Sequence, residues 1–210
     1  MGNRAVITTE ENFKNNGIGI YVHWNGGRDS IEAFLKYCEI RKFRAPDEDC
    51  YGWARLAQVI ANFFGMDGLS IGIDTVDHLD CDNFDNGVYL IKGWEIVGRE
   101  YFTGAEQDDY PLGDMLKAID ETQPEPLGDY LIADEIPVSE LKVGDVIFYR
   151  DWNNKVKQVE ILGFGDGRIV NGVDTTGLPY AELVGGSLGR DNPNNYIHEK
   201  TVKIVKRSVA

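Results

Sequence analysis

At 210 residues, with 42% hydrophobic and 27% charged residues, the chain has the make-up of a globular protein that buries a real core as one large or two small domains. No apolar run approaches the roughly 20 residues that a membrane-spanning helix needs. The start, MGNRAVITTEENF, has no basic-then-apolar leader, and Val6 stands where lipidation after Gly2 wants Ser or Thr, so a cytoplasmic protein is expected.

RAVITT (4–9) and GIGIYVHW (17–24) alternate as two strands, with turn residues in the ENFKNNG between them. Asp29 with Glu32 three residues on makes a capping-box pattern, and Ile31, Phe34, Leu35 and Cys38 then recur at helical spacing. After the polar loop FRAPDED (43–49), a second helix is expected from about Tyr51 to Phe64. Trp53, Leu56, Ile60, Phe63 and Phe64 would face inward, and Gly65 would close it. LSIGI (69–73) reads as a strand, and VYLI with WEIVGREYF as a hairpin around Lys92-Gly93. PLGDMLKAIDET (111–122) is a third helix, and the proline-bearing QPEPLGDYLIADEIP (123–137) a connector. From Val138 short β-branched runs alternate with Gly, Asn and Asp. The expected fold is therefore α+β: a mixed domain (1–125) with antiparallel strands and three helices, a connector (126–137), and a small SH3-type β-barrel (138–210).

The formal net charge of −14 is unevenly placed. Between Asp67 and Asp145 there are 20 acids and 4 bases; the rest of the chain has 15 acids and 17 bases. Such a field disfavours direct nucleic-acid binding and attracts basic proteins. Its densest stretch is DTVDHLDCDNFDNG (74–87). Asp74, Asp77, Asp80, Asp82 and Asp85 offer hard oxygen atoms of the kind that hold calcium or magnesium, but the EF-hand register fails, with Phe84 at position five and Asp85 where glycine belongs. No metal ligand set and no cofactor are assigned, and the five aspartates are taken as candidate binding residues for a basic partner. His23, Trp24 and Arg28, at a strand-to-helix turn with two glycines, are candidates for holding an anion.

Cys38, Cys50 and Cys81 include no CxxC pair, which speaks against a disulfide framework or a structural zinc. Asp49-Cys50-Tyr51-Gly52-Trp53 opens a helix, a position that lowers a thiol pKa, while Asp47, Glu48 and Asp49 oppose that effect. The stretch resembles the D-C-x-G-aromatic motif around the nucleophile of NlpC-type, papain-like endopeptidases. Leu141–Phe148 looks like the later L-x-P-G-D-L-V-F-F strand of that family. The resemblance implies a thiol hydrolase with Cys50 as nucleophile, but Gln158 occupies the position of the base, Val143 that of the proline, and the third polar member falls near Asn171. His23 or His78 would have to supply the base.

A second resemblance covers much of the first hundred residues. MGNRAVIT, YVHWNGGRDSIEAFLKYC, DCYGWARLAQVIANFFG and DNFDNGVYLI are similar to uncharacterised proteins of bacteriophages and mobile elements of Gram-positive gut bacteria. The resemblance implies a small accessory protein inside a bacterial cell. Acidic proteins of that setting are similar to anti-CRISPR and antirestriction inhibitors, some of which act as DNA mimics, since a duplex carries one charge per roughly 1.7 Å. The partner so implied is a basic host defence protein, a nuclease or other DNA-handling factor. The alternatives are the Cys50 hydrolase and a metal- or ligand-binding accessory module.

Overall fold

The computed structural model describes residues 2–65, 70–151, 155–181, 183 and 193–206. The chain divides into two compact units, Met1–Gly128 and Asp129–Ala210. Together they are α+β, with four α-helices among the described residues, all in the first unit.

In the first unit, β1 (Ala5–Thr9) and β2 (Ile18–Val22) pair antiparallel, with Ile7 opposite Ile20. β3 (Ile71–Thr75) adds antiparallel outside β2. Leu69, where the sequence pattern starts this strand, lies outside the described residues. β4 (Val88–Lys92) lies parallel to β1, with Val6 beside Val88, and β5 (Glu95–Glu100) returns antiparallel. The order is β3-β2-β1-β4-β5, so the first strand of the chain is the middle strand of the sheet. The antiparallel strands expected from the sequence are thus joined by one parallel pair, β1 with β4.

Three helices rather than turns explain one buried face. α2 (Arg28–Ile40), α3 (Cys50–Phe64) and α4 (Leu112–Glu121) each turn an apolar stripe inward. Phe34, Leu35, Leu56 and Ile60 are fully buried, each worth roughly 2 kcal/mol of apolar burial. Phe63 and Phe64 are only half-buried, because they stand in the last turn beside Gly65. Behind α4 the carboxylate of Asp120 accepts hydrogen bonds from Tyr37 Oη (2.7 Å), Leu127 N (2.7 Å) and Gly128 N (2.8 Å), which ends the unit on a buried polar anchor.

The fourth helix is α1 (Glu10–Asn15), in the stretch read as a turn. Thr9 ends β1 and also caps α1, its Oγ1 accepting from Asn12 N at 3.1 Å, and Asn16 leaves it at a φ of 52°. Asp29 corrects a second expectation. The N-cap of α2 is Gly27, and Asp29 Oδ2 instead accepts from Asp109 N (2.9 Å) and Tyr110 N (3.1 Å), tying a distant loop to the helix start.

The second unit holds β6 (Glu135–Pro137), β7 (Val146–Arg150) and β8 (Val156–Glu160). β9 (Gly163–Phe164), β10 (Ile169–Val170), β11 (Val173–Asp174), β12 (Pro179–Tyr180) and β13 (Thr201–Lys206) complete it. β6, β13, β7 and β8 form one antiparallel sheet in that order, while β9 pairs with β12 and β10 with β11. Leu141, Ile147, Ile161, Ala181, Ile197 and Val202 make its core. No sheet closes into a barrel among the described residues, because the three sheets share no strand pairing.

Candidate functional site

The two faces of the first sheet set the geometry of the candidates. Strand side chains alternate, so Ala5, Ile7 and Ile20 point to the helices while Val6, Tyr21, Val88 and Leu90 point the other way. That second face is covered by Phe13 of α1 and by Leu79 and Cys81 of the aspartate-rich segment. The segment leaves β3 through a short 3-10 turn (Val76–His78) and crosses the sheet before entering β4. Val76, Asn83 and Asn86 are buried along it, and Asp77, Asp80 and Asp82 are exposed. Gly19 makes room for the crossing, since a Cβ there would lie 2.9 Å from Leu79 Cδ1.

Two polar anchors hold the loop. Arg4, missed in the sequence reading, binds Asp85 Oδ2 through Nε at 2.7 Å, Asp80 Oδ2 through Nη1 at 3.3 Å and the Asn83 carbonyl through Nη2 at 2.5 Å. Asn83, fully buried, accepts from Asp85 N (3.1 Å) and Gly87 N (3.0 Å) and donates to the carbonyls of Asp80 (3.0 Å) and Gly87 (3.3 Å). Burial alone would raise the Asp85 carboxyl, but the Arg4 hydrogen bonds and charge outweigh it and hold the group below the ordinary carboxylate value. Between these anchors Phe84 has a φ of 59° and is 89% exposed, a conformation that costs a bulky side chain and leaves its ring in water.

The five aspartates therefore do not share one environment. Asp80 and Asp85 turn to Arg4, and Asp82 projects into solvent. Asp74 accepts from Thr75 N at 2.7 Å and meets His78 Nδ1 at 3.3 Å, and these two contacts, in that order, lower its pKa. Asp77 accepts from Thr75 Oγ1 at 2.7 Å, and its own N–H reaches Asn16 Oδ1 at 2.8 Å. Among the described residues no three His, Cys, Asp or Glu side chains converge as a metal site would require.

The structure brings His23, Trp24 and Arg28 to the Arg4 end of the sheet. The Asn3 N–H donates to the His23 carbonyl at 3.2 Å, and Gly26 N–H to the Asn3 carbonyl at 2.8 Å. His23 Nδ1 lies 3.1 Å from Tyr21 Oη, and its ring packs edge-on to Trp24 at 4.9 Å. Burial raises the Tyr21 phenol, with Asp80 and Asp85 adding to it against the pull of Arg4. Arg28 is already matched by carboxylates, Glu32 at 2.6 Å and Glu106 at 3.4 Å, which leaves it poorly placed to hold an added anion.

Cys50 lies at the opposite end. It is exposed at the first position of α3, whose N-cap Asp49 accepts from Tyr51 N (2.9 Å) and Gly52 N (3.3 Å). A groove of about 750 Å³ runs past it, with Glu10, Glu11, Asp47 and Glu48 on its rims and Trp53 and Ile91 below; no histidine lines it. Gln158 is exposed on β8. Asn171 has a φ of 48° and Gly172 one of 84°, the two-residue Asn-Gly turn that joins β10 to β11. Asp145 is buried and closes its turn by accepting from Lys142 N at 2.9 Å. No helix among the described residues is long and apolar enough to cross a membrane. Comparison with protein-family models, curated proteins and solved structures gives no match for this chain.

Proposed function

We propose that this chain is a non-catalytic inhibitor that binds a basic, DNA-handling bacterial defence protein through the loop spanning Asp74 to Asp85. The observation that carries the reading is the build of that loop. Its apolar side is spent on the sheet, Arg4 and Asn83 clamp it, and Asp74, Asp77, Asp82 and Phe84 are held outward. A rigid acidic surface with an aromatic in its midst suits a cationic partner, because its shape is set before binding. The reading includes a phage or mobile-element setting, a cytoplasmic location, and an antirestriction or anti-CRISPR role with DNA mimicry as one form. The test is a tagged pull-down from lysate of a Gram-positive gut bacterium, with the triple variant Asp74→Lys, Asp77→Lys, Asp82→Lys as control. Retention of a basic DNA-handling protein by the wild type alone, with release at moderate salt, is the expected result. Equal recovery by both baits, or none by either, would overturn the reading.

For the second unit the same proposal includes an SH3-type module, supported by its antiparallel strand order and the bulge between Ile204 and Lys206 of β13.

The exposure of Cys50 beside a groove favours one second reading, a thiol hydrolase. It requires Cys50 to react with an iodoacetamide probe faster than free cysteine at pH 7. A rate no greater than that of free cysteine removes it. Cys38 serves as the internal blank, since complete burial raises its thiol pKa.

A further inference from the structure

β3 is an edge strand, and the ladder phase shows which of its backbone groups are free. His23 N–H donates to the Ser70 carbonyl at 2.8 Å, and Val76 N–H to the Gly17 carbonyl at 3.0 Å. In an antiparallel pair hydrogen-bonded and non-bonded partners alternate. With Tyr21 opposite Gly72 and Ile20 opposite Ile73, the bonded positions of β3 are Gly72 and Asp74. The N–H and C=O groups of Ile71 and Ile73 therefore point away from the sheet, and among the described residues they meet no partner. This edge is lightly protected: it carries no proline, lysine or bulge, its one charged residue is Asp74, and Ile73 is 54% exposed.

Beside this edge lies an apolar shelf. Ile71 and Ile73 share the side of Val22 and Ile20, facing α3, and with Ala54, Ala57 and Ala61 they line a groove of about 500 Å³. Tyr51, Arg55 and Gln58 of α3 line the groove as well, and the alanines between them leave room for the side chains of a further strand. On the opposite side of the same edge Asp74 projects, exposed.

We infer that β3 is a strand-addition site for an extended segment of a partner protein in which apolar and basic residues alternate. Main-chain hydrogen bonds to Ile71 and Ile73 would hold the segment, its apolar residues would fill the alanine groove, and its basic residues would meet Asp74. A second copy of this chain fits less well. Pairing β3 with itself around Ile73 would set the two Asp74 carboxylates on one face as diagonal neighbours, about 7–8 Å apart. It would also join two chains that each carry a net charge of −14. The inference rests on the acidic-partner reading only for the sign of the segment's charge.

The test uses a fluorescein-labelled nine-residue peptide of alternating lysine and valine, its glutamate–valine counterpart, and the full chain. Anisotropy gives affinity, and amide hydrogen exchange by NMR gives the site. The expected result is binding of the lysine peptide with at least tenfold slower exchange at the Ile71 and Ile73 amides. Ile73→Pro should weaken that binding at least tenfold, since it removes an outward N–H that an edge strand can lose without breaking its inner ladder. Binding with slowed exchange in 76–87 instead would overturn the edge site and leave the acidic-loop reading standing. Equal binding of the glutamate peptide, or no binding of the lysine peptide, would overturn the proposal. So would slowing of the same two amides by rising protein concentration without peptide, which would assign the edge to a second copy.

Discussion

On the helix side of the first sheet, Ile7, Ile20 and Ile91 are covered by long amphipathic helices whose contact is apolar. On the other side, Val6, Val88 and Leu90 are covered by one short helix and a loop, and the loop stays in place through Arg4 and Asn83. The first cover is non-directional and tolerates small shifts. The second is fastened at a few atoms, so it is stiff while those bonds hold and detached when they break. An apolar cover makes a core, whereas a pinned cover can present charges outward at fixed positions.

Three measurements would sharpen or break that contrast. The largest effect is expected from Ile60→Ala on the helix side, about 3 kcal/mol lost in urea unfolding, spread over the whole unit. A smaller loss, about 2 kcal/mol, is expected from Asn83→Ala, which removes four hydrogen bonds, two of them buried. Its exchange signature should be local, with fast amides in 76–87 and protected ones in α2 and α3. A uniform rise across the unit would mean that the loop is not a separable element. The smallest effect concerns pH. The Asp85 carboxyl is depressed in the folded chain, so its stabilising contribution is present above the ordinary carboxylate value of about 4 and is lost as pH falls through the depressed one. The urea midpoints of wild type and Asp85→Asn should therefore differ at pH 7 and converge towards pH 2. A constant gap would show that Arg4 gains nothing from the charge.

The helix side was legible in the sequence, and the loop side was not. Ile31, Phe34, Leu35 and Cys38 repeat at 3.6, and α2, α3 and α4 all lie where that spacing puts them. α1 was hidden because Thr9 serves strand and cap at once and Asn-Asn-Gly reads as a turn. Asp29 shows the limit of local patterns: a capping-box spacing is present, but its carboxylate is taken by amides 80 residues away. Arg4 lies just before a strand and finds its carboxylates 76 and 81 residues on, a match that no window of sequence contains. The aspartates were seen as a group, but only the fold separates those turned to Arg4 from those turned to solvent. In the second unit the runs of strand were readable and β10–β11 is a local hairpin, while the four-stranded sheet depends on β13 reaching back to β6 and β7, which no local pattern contains.

The central place of β1 has a consequence for the order of assembly. Its hairpin with β2 can form as soon as the first two dozen residues are available, but its other edge belongs to β4, where Val6 meets Val88. At a translation speed of about 5–20 residues per second, that edge waits on the order of ten seconds during synthesis. Through that interval the most buried strand of the finished unit is half unzipped, and its Val6 and Thr8 side lacks the loop that later roofs it. The nascent chain thus passes through a stage in which its future centre is exposed, and production of the protein should be sensitive to chaperone supply.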